Sequence, residues 1–119
     1  MDELKKFNGE IHCVFGNTDD RHATPKKAES LGINFHGDLA ELEIDNKKIA
    51  VNHFPIIAQA LAQSQIYDEV FYGHTHKKLK EKHTKTLLLN PGELMGRKGE
   101  VTLAIYDTQI NDADFHQIE

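Results

Sequence analysis

Three short apolar runs in this chain each stop abruptly on polar residues, and that repeated break constrains the fold more than any other feature. Residues 11–15 (IHCVF) stop at Gly16-Asn17-Thr18-Asp19. Residues 48–52 (KIAVN) stop at His53, and residues 68–72 (DEVFY) stop at Gly73-His74-Thr75-His76. Continuous apolar runs of this length are the signature of buried strands. In α/β sheets the strand ends are where chemistry collects, because the sheet holds the backbone while the loop presents the side chains.

The segments between these runs predict the rest of the architecture. Thr24-Pro25 supplies a helix N-cap and a proline at the first helical position, with Gly32 placed to end that helix. Residues 39–44 alternate, Asp45-Asn46 makes a turn, and residues 48–52 answer as the second strand of a hairpin. Pro55 opens a second helix in which Ile57 and Leu61, and Ala58 and Ala62, recur four residues apart. Residues 78–83 and 86–90 pair as another hairpin, Pro91-Gly92 breaks the chain, and strands are expected at 101–106 and 113–118. Helix and strand alternate first and strand dominates later, which predicts a layered α/β fold on a mixed sheet. No repeat, linker or low-complexity tract divides residues 1–119, so a single domain is expected.

Composition enters by exclusion. Fourteen basic against nineteen acidic residues leave a net charge of −5, which argues against a general grip on nucleic-acid phosphates. The single cysteine, Cys13, excludes an internal disulfide and a thiolate zinc cluster. The charged start and the absence of a long apolar stretch predict a cytoplasmic chain without a membrane span. Eight histidines in 119 residues are many, and histidine is the commonest metal ligand. His74 and His76, two apart beyond a strand end, and His53 at a strand-to-helix junction are the metal-ligand candidates. Each motif alone has an ordinary explanation: two solvated histidines, a structural histidine, and for Asn17 and Asp19 an Asx-rich turn. Their joint occurrence at three strand ends is what carries weight.

Taken in order, Gly16-Asn17-x-Asp19, His53, Gly73-His74-Thr75-His76 and Asn90-Pro91-Gly92 resemble the calcineurin-like metallophosphoesterase superfamily, in particular its small YfcE-like phosphodiesterase branch. The resemblance runs from about Leu4 to the last strand. It implies a metallophosphoesterase-like layered α/β sandwich, mixed sheets flanked by helices, and a two-metal hydrolase that cleaves a phosphate ester through metal-bound hydroxide. It also implies that Asn17, His53 and His74 ligate one metal, that His76 ligates the other, and that Asn17 helps hold the phosphate. Asn17 and His76 are thus the catalytic candidates. Imidazole and amide donors suit Mn²⁺ foremost, or Zn²⁺, Fe²⁺ or Ni²⁺, and two ions roughly 3.5–4 Å apart would clamp an in-line displacement on phosphorus.

The family opens with strands ending in D-x-H and in G-D, and this chain has neither. The expectation is an N-terminally incomplete domain lacking its first βαβ unit, on the order of 30 residues, with residues 2–7 as the remnant of a helix. Two ions, one or none are then all open. Asp20 and His22 are minor candidates for recruited ligands, whereas His36-Gly37-Asp38 reads as a turn. An edge left uncovered beside residues 11–15 would favour a homo-oligomer. Lys78, Lys80 and Lys82 share a strand face, read either as steering of a phosphorylated substrate or as a solvated edge. His12, His83 and His116 receive no role. The enzyme reading, with a small-molecule phosphate ester as substrate, therefore stands beside two alternatives. One is a non-catalytic binding module of the kind this fold forms in retromer, and the other a mononuclear metal-binding remnant.

Overall fold

The computed structural model describes residues 9–16, 23–75, 77–92 and 101–117. Their elements are β1 (His12–Cys13), α1 (Ala23–Ser30), β2 (Asn34–Phe35), β3 (Leu39–Ile44), β4 (Lys47–Asn52), α2 (Pro55–Gln63), β5 (Glu69–Phe71), β6 (Leu79–His83), β7 (Thr86–Asn90), β8 (Thr102–Asp107) and β9 (Asp112–Gln117). A five-stranded mixed sheet has the order β3-β4-β5-β7-β6, with β4, β5 and β7 parallel and a hairpin partner at each edge. No helix among the described residues is long and apolar enough to cross a membrane.

The central strands alternate between two apolar faces. Ala50, Val70, Tyr72 and Leu88 pack with Tyr67 against Ala58 and Ala62 of α2. On the opposite face Leu87, Leu89 and Phe71 meet Ala104, Tyr106, Ala113 and Phe115 of the β8–β9 hairpin. Helix, sheet and hairpin thus form three layers, which is the sandwich expected from the order of elements. The two alanines on α2 let the helix lie close to the sheet. Ile57, in the predicted apolar pair with Leu61, is instead 45% exposed, because the buried stripe runs through Ala58, Leu61 and Ala62.

Local chemistry explains the boundaries. The β3–β4 hairpin turns on Asp45 and Asn46, both at positive φ (51° and 65°), the requirement of the two-residue turn that matches strand twist. Helix α1 begins at Ala23, one residue ahead of the predicted cap, and Pro25 stays within the first turn where an N–H has no helical acceptor. Its end is a Schellman arrangement: Ile33 N donates to Ala28 O at 2.9 Å and Gly32 N to Glu29 O at 3.1 Å.

The run at 11–15 is less buried than predicted. Only Phe15 is buried, and the strand proper covers two residues, paired in parallel with β2. Backbone bonds continue that pairing, from Asn34 N to Ile11 O, His36 N to Cys13 O and Phe15 N to Gly37 O. Strand β2 escaped the pattern reading because two residues are too few to show a period.

One residue contradicts its layer. Glu69 is fully buried on the hairpin side of β5, and among the described residues neither carboxylate oxygen has a hydrogen-bond partner. Burial pushes its pKa up to about 9, with Lys82 pulling it down and Asp112 pushing it further up. The folded state therefore holds a proton that the unfolded chain releases near the ordinary value of 4.5. Stability from this group is fully present below that value and is lost as pH rises towards 9, at about 1.4 kcal/mol per pH unit inside the window. The apolar near-isostere Glu69→Met is expected to flatten the decline of melting temperature between pH 5 and pH 9, with its largest gain at the alkaline end. Thermal denaturation across that range checks this, and parallel pH profiles for the two proteins would count against it.

Candidate metal centre

The site lies where the carboxyl ends of β4, β5 and β7 meet. His53 follows β4, and the carbonyl of His53 accepts a hydrogen bond from Gly73 N at 3.1 Å, which brings the loops after β4 and β5 together. The imidazoles of His53 and His74 stand edge to face, 84° apart in plane, with ring centres separated by 5.3 Å. Two imidazoles sharing one ion, with metal–nitrogen bonds of about 2.0–2.1 Å, place their ring centres about 5 Å apart. The spacing and donor chemistry of this pair therefore fit a divalent metal. Phe54 packs on both rings, at 5.0 and 5.5 Å, so one side of the pair is apolar while His74 remains exposed.

The loop that carries His74 is strained. Its φ is +71°, and Thr75 N donates to Gly73 O at 2.9 Å, so residues 73–75 close the rare γ-turn with positive φ at its centre. Such a conformation in a non-glycine residue costs about 1–2 kcal/mol and persists only where the surroundings over-determine it. The residue that does so is Asn90, at the end of β7 and fully buried. Its Nδ2 donates to Gly73 O at 3.2 Å and to Thr75 Oγ1 at 3.0 Å, while its Oδ1 accepts from Gly92 N at 3.0 Å.

Gly92 follows at φ +90°, and a Cβ there would sit 1.9 Å from Thr102 Oγ1. That hydroxyl donates to Pro91 O at 2.8 Å, tying the turn to the start of β8. A second asparagine does the same work for His53. Buried Asn52 accepts from Phe54 N at 2.8 Å and donates to Asp38 O at 2.8 Å, linking the His53 loop to the turn after β2.

The structure thus brings His53 and His74 together, and the turn expected at His36-Gly37-Asp38 is present, with Gly37 at φ +77°. Asn17, Asp20, His22 and His76 lie outside the described residues. Among the described residues no three His, Cys, Asp or Glu side chains converge on one point. The lysine face on β6 has a structural use. Lys80 Nζ donates to Asp112 Oδ1 at 3.1 Å and to Ala113 O at 2.9 Å, and Lys78 lies 5.7 Å from the centre of the Phe115 ring. These contacts clamp the β8–β9 hairpin. Asn90 entered the sequence reading only as part of the Asn90-Pro91-Gly92 motif, with no task of its own, and Asn52 only as the end of the 48–52 run. The one available signal was an amide side chain as the last residue of an otherwise apolar strand.

The profile of the calcineurin-like phosphoesterase superfamily domain matches residues 1–111. The chain belongs to that superfamily. Phosphodiesterase MJ0936 of Methanocaldococcus jannaschii is 31% identical over 112 residues, which cover 90% of this chain and 68% of the relative. A solved structure described as a novel archaeal phosphodiesterase superposes with a TM-score of 0.86 at 28% identity, over 98% of this chain and 74% of that one. Vps29 of Chaetomium thermophilum shares the fold alone, with a TM-score of 0.60 at 14% identity over 98% of this chain and 83% of its own. The expected metallophosphoesterase fold and the small phosphodiesterase branch are therefore established, and the family is one that generally binds divalent metals.

Two outcomes follow for this superfamily member. Relief of the positive-φ strain should make His74→Gly more stable than His74→Ala by about 1 kcal/mol, measured by denaturant unfolding. A Cβ added at Gly73 would lie 3.3 Å from His53 Nδ1 and 3.6 Å from its Cε1. Gly73→Ala is thus expected to push the His53 ring out of its edge-to-face arrangement, read as altered imidazole proton shifts of both His53 and His74 with the fold retained.

Proposed function

We propose that this chain is a divalent-metal-dependent phosphoesterase, with a phosphodiester as the favoured substrate class. The observation that carries the reading is that His53 and His74 stand edge to face at adjacent strand ends, the second of them on a strained turn. The similarity to two phosphodiesterases supports the substrate class.

In this proposal His53, His74 and Asn17 hold one ion, and His76 holds the second. Mn²⁺ is the favoured metal, with Zn²⁺, Fe²⁺ and Ni²⁺ as alternatives. When bound, such ions supply Lewis acidity towards phosphoryl oxygen and activate water. The chain's own contribution is positional. Asn90 and the Gly73–His53 backbone bond set the angle between the two rings before any ligand arrives, so little reorganisation is needed on binding. Phe54 excludes water from one side of the pair, which strengthens polar interactions on the other. The carboxamide of Asn17 is assigned to the phosphate and the imidazole of His76 to the reacting end of the site.

The test is turnover of a generic phosphodiester, bis(p-nitrophenyl) phosphate, by Mn²⁺-replete protein. Activity is expected to require the metal and to fall in His74→Ala to the level of the metal-free protein. Turnover no higher than that of the His74→Ala control would remove the enzyme reading. Metal binding without turnover would then favour the binding-module alternative.

A further inference from the structure

A second pair of histidines, unassigned from the pattern, meets on the small β1–β2 sheet. Strand β1 places His12 opposite Asn34, and the backbone bond from His36 N to Cys13 O extends the pairing one residue beyond β2. That extension brings the side chain of His36 over that of His12. His12 Nδ1 lies 2.8 Å from His36 Nε2, with ring centres 5.1 Å apart and planes tilted by 31°. Both residues are half-buried, so the meeting point is sheltered but reachable.

The far nitrogen of His12 faces a carboxylate: Glu10 Oε2 is 3.8 Å from His12 Nε2. At this distance the contact is one of charge and not a hydrogen bond; it draws a proton towards Nε2 and so leaves the Nδ1 lone pair towards His36. One proton on His36 Nε2 then fills the gap between the rings. An ion with two free lone-pair directions converging on it is the natural replacement for that proton. Two metal–nitrogen bonds of about 2.0–2.1 Å, meeting at an angle between square and tetrahedral, set the nitrogens about 3.0–3.4 Å apart. The pair needs to open by only a few tenths of an ångström. With an ion bound, the exposed Glu10 would close from this charge contact to a hydrogen bond with Nε2–H and so act as the outer partner that orients a ligating imidazole.

We propose that His12 Nδ1 and His36 Nε2 form a two-imidazole seat for one borderline divalent ion of the Zn²⁺ or Ni²⁺ class, separate from the His53–His74 pair, with water completing its coordination. Nitrogen-only donation selects these ions over the hard, oxygen-seeking Mg²⁺ and Ca²⁺. The seat does not depend on phosphoesterase activity.

Zn²⁺ alone, titrated into the full chain, tests this. In unsubstituted protein labelled with ¹⁵N at histidine, Zn²⁺ is expected to move the His12 Nδ1 and His36 Nε2 resonances into the metal-bound range while His12 Nε2 and His36 Nδ1 carry the protons. In a His53→Ala, His74→Ala background, the ion at this seat is expected to remain and to be lost on further substitution of His12→Ala or His36→Ala. Glu10→Gln should weaken it about tenfold. Unmoved His12 and His36 ring resonances at saturating Zn²⁺ would overturn the proposal. So would Zn²⁺ binding that is undiminished after both substitutions in that background. Should either alanine variant fail to fold, the ring resonances of the unsubstituted protein decide alone.

Discussion

The buried carboxamide of Asn90 joins three segments that would otherwise be independent. Its donor side holds both ends of the γ-turn around His74, and its acceptor side holds the backbone of Gly92 where the chain leaves the sheet for β8. In a fully buried position each of these bonds is made in a low dielectric, and breaking one leaves an orphaned polar group that costs about 1–3 kcal/mol. That cost exceeds or matches the strain stored in the turn, which is why His74 stays in a conformation it would not choose. The site is thus an outgrowth of the sheet's own hydrogen bonding, since Asn90 is held by β7 and β7 is paired on both sides.

The sheet that carries this load has two unlike faces. Towards α2 it is uniformly apolar, and two alanines allow close approach. Towards β8–β9 it combines an apolar patch with a buried Glu69, which has no hydrogen-bond partner among the described residues, and a lysine rim that reaches the hairpin through Lys80. The second face is less stable than it would be with an apolar residue at position 69, and its stability falls as pH rises towards 9. The hairpin nevertheless closes on Gly92 through Thr102, so the docking of β8–β9 and the geometry of the turn after β7 are mechanically connected.

Much of this was legible along the chain. The apolar runs at 48–52 and 68–72 are strands, the Asp45-Asn46 turn is where its residues demand it, and Pro55 opens the helix between them. His53 and His74 were identified as candidates because each follows an apolar run, a pattern that works whenever parallel strands end at the same edge. One expected contact fails for a physical reason. Ile57 is exposed because alanines, not the larger residues beside them, fill the narrow space under α2. Lys80 and Lys78 reach the β8–β9 hairpin, a contact that no local pattern records because the hairpin is distant in sequence. The meeting of His12 with His36 has no local signature, because a strand of two residues, too short to show a period, is what pairs them.

Sequence order and local residue chemistry by themselves determined the class of fold, the places where strands give way to loops, and the superfamily to which those loop motifs belong. Turn type, strand period and proline placement act over a few residues, so they can be read without knowing what lies across the sheet. Only the tertiary structure decided the angle between His53 and His74, the role of Asn90 and Asn52 in setting it, the stranding of Glu69, and the meeting of His12 with His36. Each of those rests on contacts between residues 14 or more positions apart, or on which face of a strand another element covers. Hydrogen bonds and ring contacts fall off within a few ångströms, and no local pattern records which distant residues will come within that range.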